Sequence, residues 1–290
     1  MTHLHSFRCL CIILGFFLTL SKVNPARGQT FLGAGPEALG QAGRAAVHPV
    51  DSHYLNPAAL PFSKEMSFGT AYQMAAPSLP NPQNTFAIVV TDNGPDKPVT
   101  GSFGYLYRRS SFTDKTIVDQ DFSLDFATKI FPTVSLGVQG RRLFRQVSNG
   151  GSGFTKHNVS AGVLVLPAPF LGFSFVAYDM LNDDDLDMIP VMSIGSHIVI
   201  MDIVRLRADV TRQEKLNPEK KGTLNLGMEI TGAEGFFLRT GGAWDTLHNR
   251  TFWTGGLAWE GPKLCLAYAY RDNVNLAGDT AHTLEAWLNF

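Results

Sequence analysis

"IVRLRADVT", Ile203 to Thr211, decides how this chain is read. Val204, Leu206, Ala208 and Val210 alternate with Ile203, Arg205, Arg207, Asp209 and Thr211. A period of two places one set on each face of a strand. "QDFSLDFAT" (120–128) repeats the pattern, with Phe122, Leu124 and Phe126 opposite Asp121, Ser123 and Asp125. "TLNLGMEIT" (223–231) sets Leu224, Leu226, Met228 and Ile230 against Asn225, Gly227 and Glu229. Asp121, Asp125, Arg205, Arg207, Asp209 and Glu229 therefore each sit on the polar face of their strand. An Arg turned to lipid near the bilayer midplane costs about 2–4 kcal/mol, so in a membrane barrel these faces line the lumen. In a soluble β-sandwich the same faces meet water, and alternation alone leaves both readings open.

Outward from these stretches, strand-like segments of about ten residues, the length of a membrane-crossing strand, recur fourteen times between Glu65 and Phe290. The connections after the fourth, sixth, eighth, tenth and twelfth are tight: "KIFP", "PAP", the neighbourhood of Ile200, "GAE" and "EGP". Those after odd-numbered segments are longer and more polar, as in "VSNGGSGFTK", "LNDDDLDM" and "QEKLNPEKK". "DNGPDKP" (92–98) is the exception. Sorting by parity is the habit of an up-and-down outer-membrane barrel, with short periplasmic turns and longer outer loops. The weakest boundary is "HIVIMDIVRL", where no Gly or Pro separates the eighth segment from the ninth. Tyr105, Tyr107, Trp244, Trp253, Trp259, Tyr268, Tyr270 and Trp287 gather toward segment ends, where interfacial girdles hold aromatic rings.

The first 28 residues read as a secretory signal peptide: a basic head, the apolar run "CLCIILGFFLTL" and small residues Ala26 and Gly28. That run is too short for a spanning helix. Removing Arg8, Lys22 and Arg27 from the 24 Lys and Arg leaves 21 against 25 Asp and Glu. An acidic balance argues against nucleic-acid binding. Of the 3 cysteines only Cys265 lies beyond the leader, so no internal disulfide is expected. The expected organisation is a leader (1–28), a non-strand segment (29–64) and a barrel (65–290), with lumenal polar residues that also include Arg141 and Arg239. The last segment, "TAHTLEAWLNF", carries Leu284, Leu288 and Phe290 at alternate positions, like the terminal signal read by the barrel assembly machinery.

"GPEALGQAGRAAVHPVDSHYLNPAALPF" (35–62) resembles the N-terminal signature of FadL-type outer-membrane barrels, a superfamily of hydrophobic-compound transporters and PorV-like proteins. The match lies in Ala38-Leu39-Gly40, Ala45-Ala46, Asp51 and Asn56-Pro57-Ala58, followed by Leu60. It implies a hatch inside a fourteen-stranded barrel, with Asp51, Tyr54, Asn56, Pro57 and Ala58 as hatch residues. It also implies two functions: binding or passive passage of a small hydrophobic compound, or a PorV-like envelope scaffold. A plain turn at Asn56-Pro57 is the alternative to the hatch.

Other chemistry finds little support. "GAGPEALGQAG" lacks the preceding strand and spacing of a dinucleotide fingerprint. "NDDDLDM" (182–188) has Met188 where a calcium loop needs Gly, and reads as an acidic outer loop able to bridge lipopolysaccharide through divalent ions. His48 and His53 have no metal-ligand spacing, and Ser196 and His197 point to opposite faces of one strand. No enzyme, metal or cofactor is expected. The expected location is the bacterial outer membrane, among lipid and lipopolysaccharide.

Overall fold

The computed structural model describes residues 31–63, 66–79, 81–93, 97–181, 190–213, 222–246 and 250–290. The expected leader and the acidic loop at 182–188 lie outside the described residues. Fourteen strands follow one another: β1 (Ser67–Ala75), β2 (Gln83–Asp92), β3 (Thr100–Ser111), β4 (Thr116–Phe131), β5 (Val134–Val147), β6 (Phe154–Ala168) and β7 (Leu171–Tyr178). The second half comprises β8 (Val191–Ile200), β9 (Val204–Gln213), β10 (Thr223–Thr231), β11 (Phe236–Asp245), β12 (Arg250–Glu260), β13 (Leu264–Asn273) and β14 (Thr280–Asn289). Each pairs with the next, and β14 closes antiparallel on β1 from Ser67↔Asn289 to Ala75↔Ala281, so the sheet is a barrel without edges. A sandwich is excluded.

Burial decides which face is which. On β4, Leu124 and Phe126 are 51% and 55% exposed, while Asp125 between them is fully buried. The apolar face looks outward and the charged face inward, the reverse of a soluble core. Leu124 lies halfway along β4. Leu124→Arg is expected to destabilise the folded barrel in lipid vesicles by about 2–4 kcal/mol, read from urea unfolding.

Two details differ from the sequence expectations. β4 and β6, read from the sequence as 119–128 and 157–166, run to 16 and 15 residues and lengthen at both ends, with Thr116, Ile117 and Thr155 suiting the strand at the long-loop end. Trp287, expected in the girdle, is buried, with its ring against His48 inside the barrel (centroids 5.0 Å apart). Parity explains it: Thr283, Glu285 and Trp287 share the inner face of β14, and Leu284 and Leu288 the outer.

The unpunctuated boundary between β8 and β9 is a tight turn in which Met201 and Asp202 take φ of +53° and +57°. Positive φ at both central positions is the geometry of a primed hairpin turn, whose twist matches the flanking strands. Met-Asp lacks the Asn-Gly chemistry that announces such turns, which is why no breaker marks it.

Residues 31–63 form no strand. They fold into helix α1 (Ala34–Ala38), helix α2 (Asp51–Leu55) and a 3₁₀ helix (Pro57–Phe62). Their chain joins β1 at the end of the barrel that carries the short turns.

Candidate functional site in the barrel lumen

A fourteen-stranded barrel is wider than its own inward side chains can fill. Residues 31–63 occupy that space, and their polar contacts reach strands all around the wall. Near α1, Glu285 on β14 accepts from Ala34 N–H at 2.7 Å, and Arg271 on β13 meets Glu37 at 2.6 Å. Gly40 N–H donates to Thr254 on β12 at 2.9 Å, and Thr254 Oγ1 donates to Ala38 O at 2.9 Å. Buried groups satisfied in this way keep the segment in one position, since each unmade bond would leave a desolvated polar atom.

Arg44 is the central tie. Its guanidinium lies 3.0 Å from Asp209 on β9 and donates to Tyr178 on β7 at 3.0 Å. Asp209 also accepts from Gly43 and Arg44 N–H, at 2.8 and 3.1 Å. Burial opposes the Arg44 charge, yet Tyr178 and Asp209 outweigh it and hold the pKa above its ordinary value.

The Asn-Pro-Ala step makes the next tie. Asn56 ends α2 and starts the 3₁₀ helix: its Oδ1 accepts from Ala58 N–H at 3.0 Å, the capping role suited to Asn. Its Nδ2 donates to Arg44 O at 2.9 Å, binding the two halves of the segment together. Pro57 opens the short helix, where its missing N–H goes unneeded. Ala58 O accepts from Ser135 on β5. Asn56-Pro57 is thus a turn whose side chain also braces the segment inside the wall.

In α2, Asp51 is buried with its carboxylate 3.3 Å from His48, and Tyr54 packs edge-on against Phe31 and His53, each at 5.3 Å. Burial, with the Glu285 and Asp51 charges, pushes the Tyr54 phenol well above its usual pKa, so it stays protonated.

His53 belongs to a four-member chain. Its Nε2 lies 2.8 Å from Ser123 Oγ on β4, and its Nδ1 lies 2.7 Å from Ser102 Oγ on β3 and 2.8 Å from Asp125 Oδ2. Ser102 in turn donates to Asp125 at 2.7 Å. The sequence gives no local sign of this, since the four residues come from three elements. Among the described residues no group of three or more His, Cys, Asp or Glu is placed to hold a metal.

The other lumenal charges form compact clusters. Glu229 on β10 is shared by Arg205 (2.6 Å), Arg239 (2.7 Å) and Arg207 (3.6 Å). Arg141 on β5 joins Asp121 and, at 2.9 Å, Asp179. At the closing seam, Leu284, Leu288 and Phe290 are exposed on the outer surface, and Phe290 N–H donates to Met66 O at 2.9 Å.

The barrel has solved counterparts in fold. The CymD monoaromatic hydrocarbon channel superposes with a TM-score of 0.69 at 12% identity, over 91% of this chain and 98% of that one. The Ralstonia pickettii toluene transporter TbuX gives 0.65 at 12% identity, over 91% and 98%. A Pseudomonas aeruginosa FadL homologue gives 0.59 at 13% identity, over 89% and 98%. The chain has the FadL-type barrel fold. No protein-family model and no curated protein matches its sequence.

In this barrel, a set of inward-facing glycines, of which only Gly227 stood out in the alternation, makes room for the N-terminal segment. Gly104, Gly137, Gly162, Gly227 and Gly241 each sit where the N-terminal segment presses on the wall. A methyl at Gly162 would overlap Asn56 Oδ1, and one at Gly104 would overlap the His53 ring. The available signal was glycine at lumenal parity in five of the strands, where a barrel strand otherwise gains from a side chain. Gly162→Ala is expected to destabilise the protein by about 1–3 kcal/mol through displacement of Asn56, with proteolysis of residues 31–63 as the readout.

Proposed function

We propose that this chain is an integral outer-membrane protein that binds, or passively admits, a small hydrophobic compound, with residues 31–63 as the hatch that closes its lumen. The observation that carries the reading is the occupied lumen: a segment tied to the wall from β3 round to β14 stands in the space through which an open aqueous channel would run. A porin that sorts polar solutes by size needs such a channel, and a hatch that yields to a ligand does not. The likeness to structures titled as hydrocarbon channels and toluene transporters supports the same direction at the level of fold. The short-turn end then faces the periplasm, and β14 is the strand offered to the assembly machinery, with lipopolysaccharide against the outer leaflet of the wall.

The number of ties on the hatch favours a second reading, in which the lumen stays sealed and the barrel serves as a PorV-like envelope scaffold. Toluene uptake by proteoliposomes separates the two. Uptake above that of protein-free vesicles supports passage. Uptake equal to them, with a protein co-purifying in stable stoichiometry, supports the scaffold.

A further inference from the structure

We propose that Ser123, His53 and Asp125 form a nucleophile, base and orienting acid in the lumen, able to hydrolyse a small carboxylic ester. The geometry fixes the protons. Ser102 Oγ donates to Asp125 Oδ2 at 2.7 Å, so its oxygen is free to accept from His53 Nδ1–H, also at 2.7 Å. The same Nδ1 stands 2.8 Å from Asp125 Oδ2. With its proton on Nδ1, the imidazole presents the Nε2 lone pair to Ser123 Oγ–H at 2.8 Å. That is the tautomer a general base requires, held by a carboxylate on the far side of the ring.

Access differs along the chain as the reaction demands. His53, Ser102 and Asp125 are buried, and Ser123 is only partly so. Beside it are Asp121 and Arg141, both also partly exposed, so Ser123 is the member of the chain on its less buried side. Gly104 leaves the room in which the ring approaches the wall.

In the reaction, Ser123 Oγ bonds to the ester carbonyl carbon and its proton passes to His53 Nε2. The carbon–oxygen bond to the alcohol breaks, and the alcohol leaves with that proton. Water then attacks the acyl-serine, gives a proton to His53 and releases the acid, and the proton returns to Ser123. Arg141, directly across from Ser123 in the β4–β5 register, brings a positive charge to that side of the site, already shared with Asp121 and Asp179. Strand backbone amides are committed to the sheet, so no backbone oxyanion hole assists. This restricts the substrate to esters, whose alcohols leave more readily than amines, and makes turnover slow.

The test uses the purified full chain in detergent micelles with a fluorophosphonate probe. Peptide mass mapping is expected to place the label on Ser123. Labelling should disappear in Ser123→Ala and fall by about tenfold or more in His53→Gln, in protein that still shows the heat-modifiable gel shift of a folded barrel. Hydrolysis of p-nitrophenyl butyrate should follow the label and fall with it in His53→Gln. A folded wild-type chain that takes no label overturns the proposal, as does a label that survives Ser123→Ala. Loss of stability in these variants without any labelling of the wild type also overturns it, leaving the four residues as a brace.

Discussion

A chain lacking residues 31–62 is expected to conduct ions through planar bilayers at a level roughly tenfold or more above the intact protein, since the fourteen-stranded wall encloses more space than its side chains fill. The wall supplies its own closure through the β1–β14 pairing, which the deletion leaves intact. The deletion does expose Asp209 and Glu285, which the segment covers, and water entering the lumen solvates them. The heat-modifiable shift checks that the barrel persists. If the truncated chain fails to fold, Arg44→Ala in the full chain is the milder variant, because it removes the guanidinium's ties to Asp209 and Tyr178 and leaves the backbone N–H bonds of residues 43 and 44 to Asp209. Single-channel recordings should then show openings absent from the intact protein. A folded truncated barrel with unchanged conductance would sink the hatch role.

Glu229→Gln is expected to be the most destabilising single change at a lumenal charge. One carboxylate there serves Arg205, Arg207 and Arg239. Removing one member of a buried charge cluster costs about 3–5 kcal/mol, because the remaining charges lose their counter-ion and not merely a contact. Arg205, 32% exposed, can turn to water; Arg207 and Arg239, at 7% and 3%, cannot. Arg239 keeps Glu260 at 3.5 Å, so the loss falls chiefly on Arg207. Urea unfolding in lipid vesicles measures it, and Glu229→Asp should recover part of the stability. A change below about 1 kcal/mol would show that water already screens the cluster, as at a surface pair.

The wall and the lumen differ in how much of them the sequence discloses. β12 runs over Arg250–Glu260, the range its alternation and flanking turns mark out. Strand faces are local: whether Leu124 or Asp125 points to lipid follows from a period of two and the cost of a charge in hydrocarbon. Trp287 shows the limit of composition as a guide, since parity on β14 sends this ring inward although its type suits the girdle. Met201-Asp202 shows the limit of turn chemistry, because the pairing of β8 with β9 holds two non-glycine residues at positive φ.

The lumen was legible only in outline. Asn56-Pro57-Ala58 marks the segment, and its lack of alternation says that it is not wall. Nothing local couples Arg44 to Asp209, 165 positions away, or His53 to Ser102 and Ser123, 49 and 70 positions away. By itself the sequence determined the strands, their faces and the existence of a segment left over to fill the middle, because each depends on neighbours within about ten residues. The tertiary structure alone decided which lumenal groups meet, since barrel closure brings together side chains from strands far apart in the chain, and only in that closed space do their charges and hydroxyls find partners.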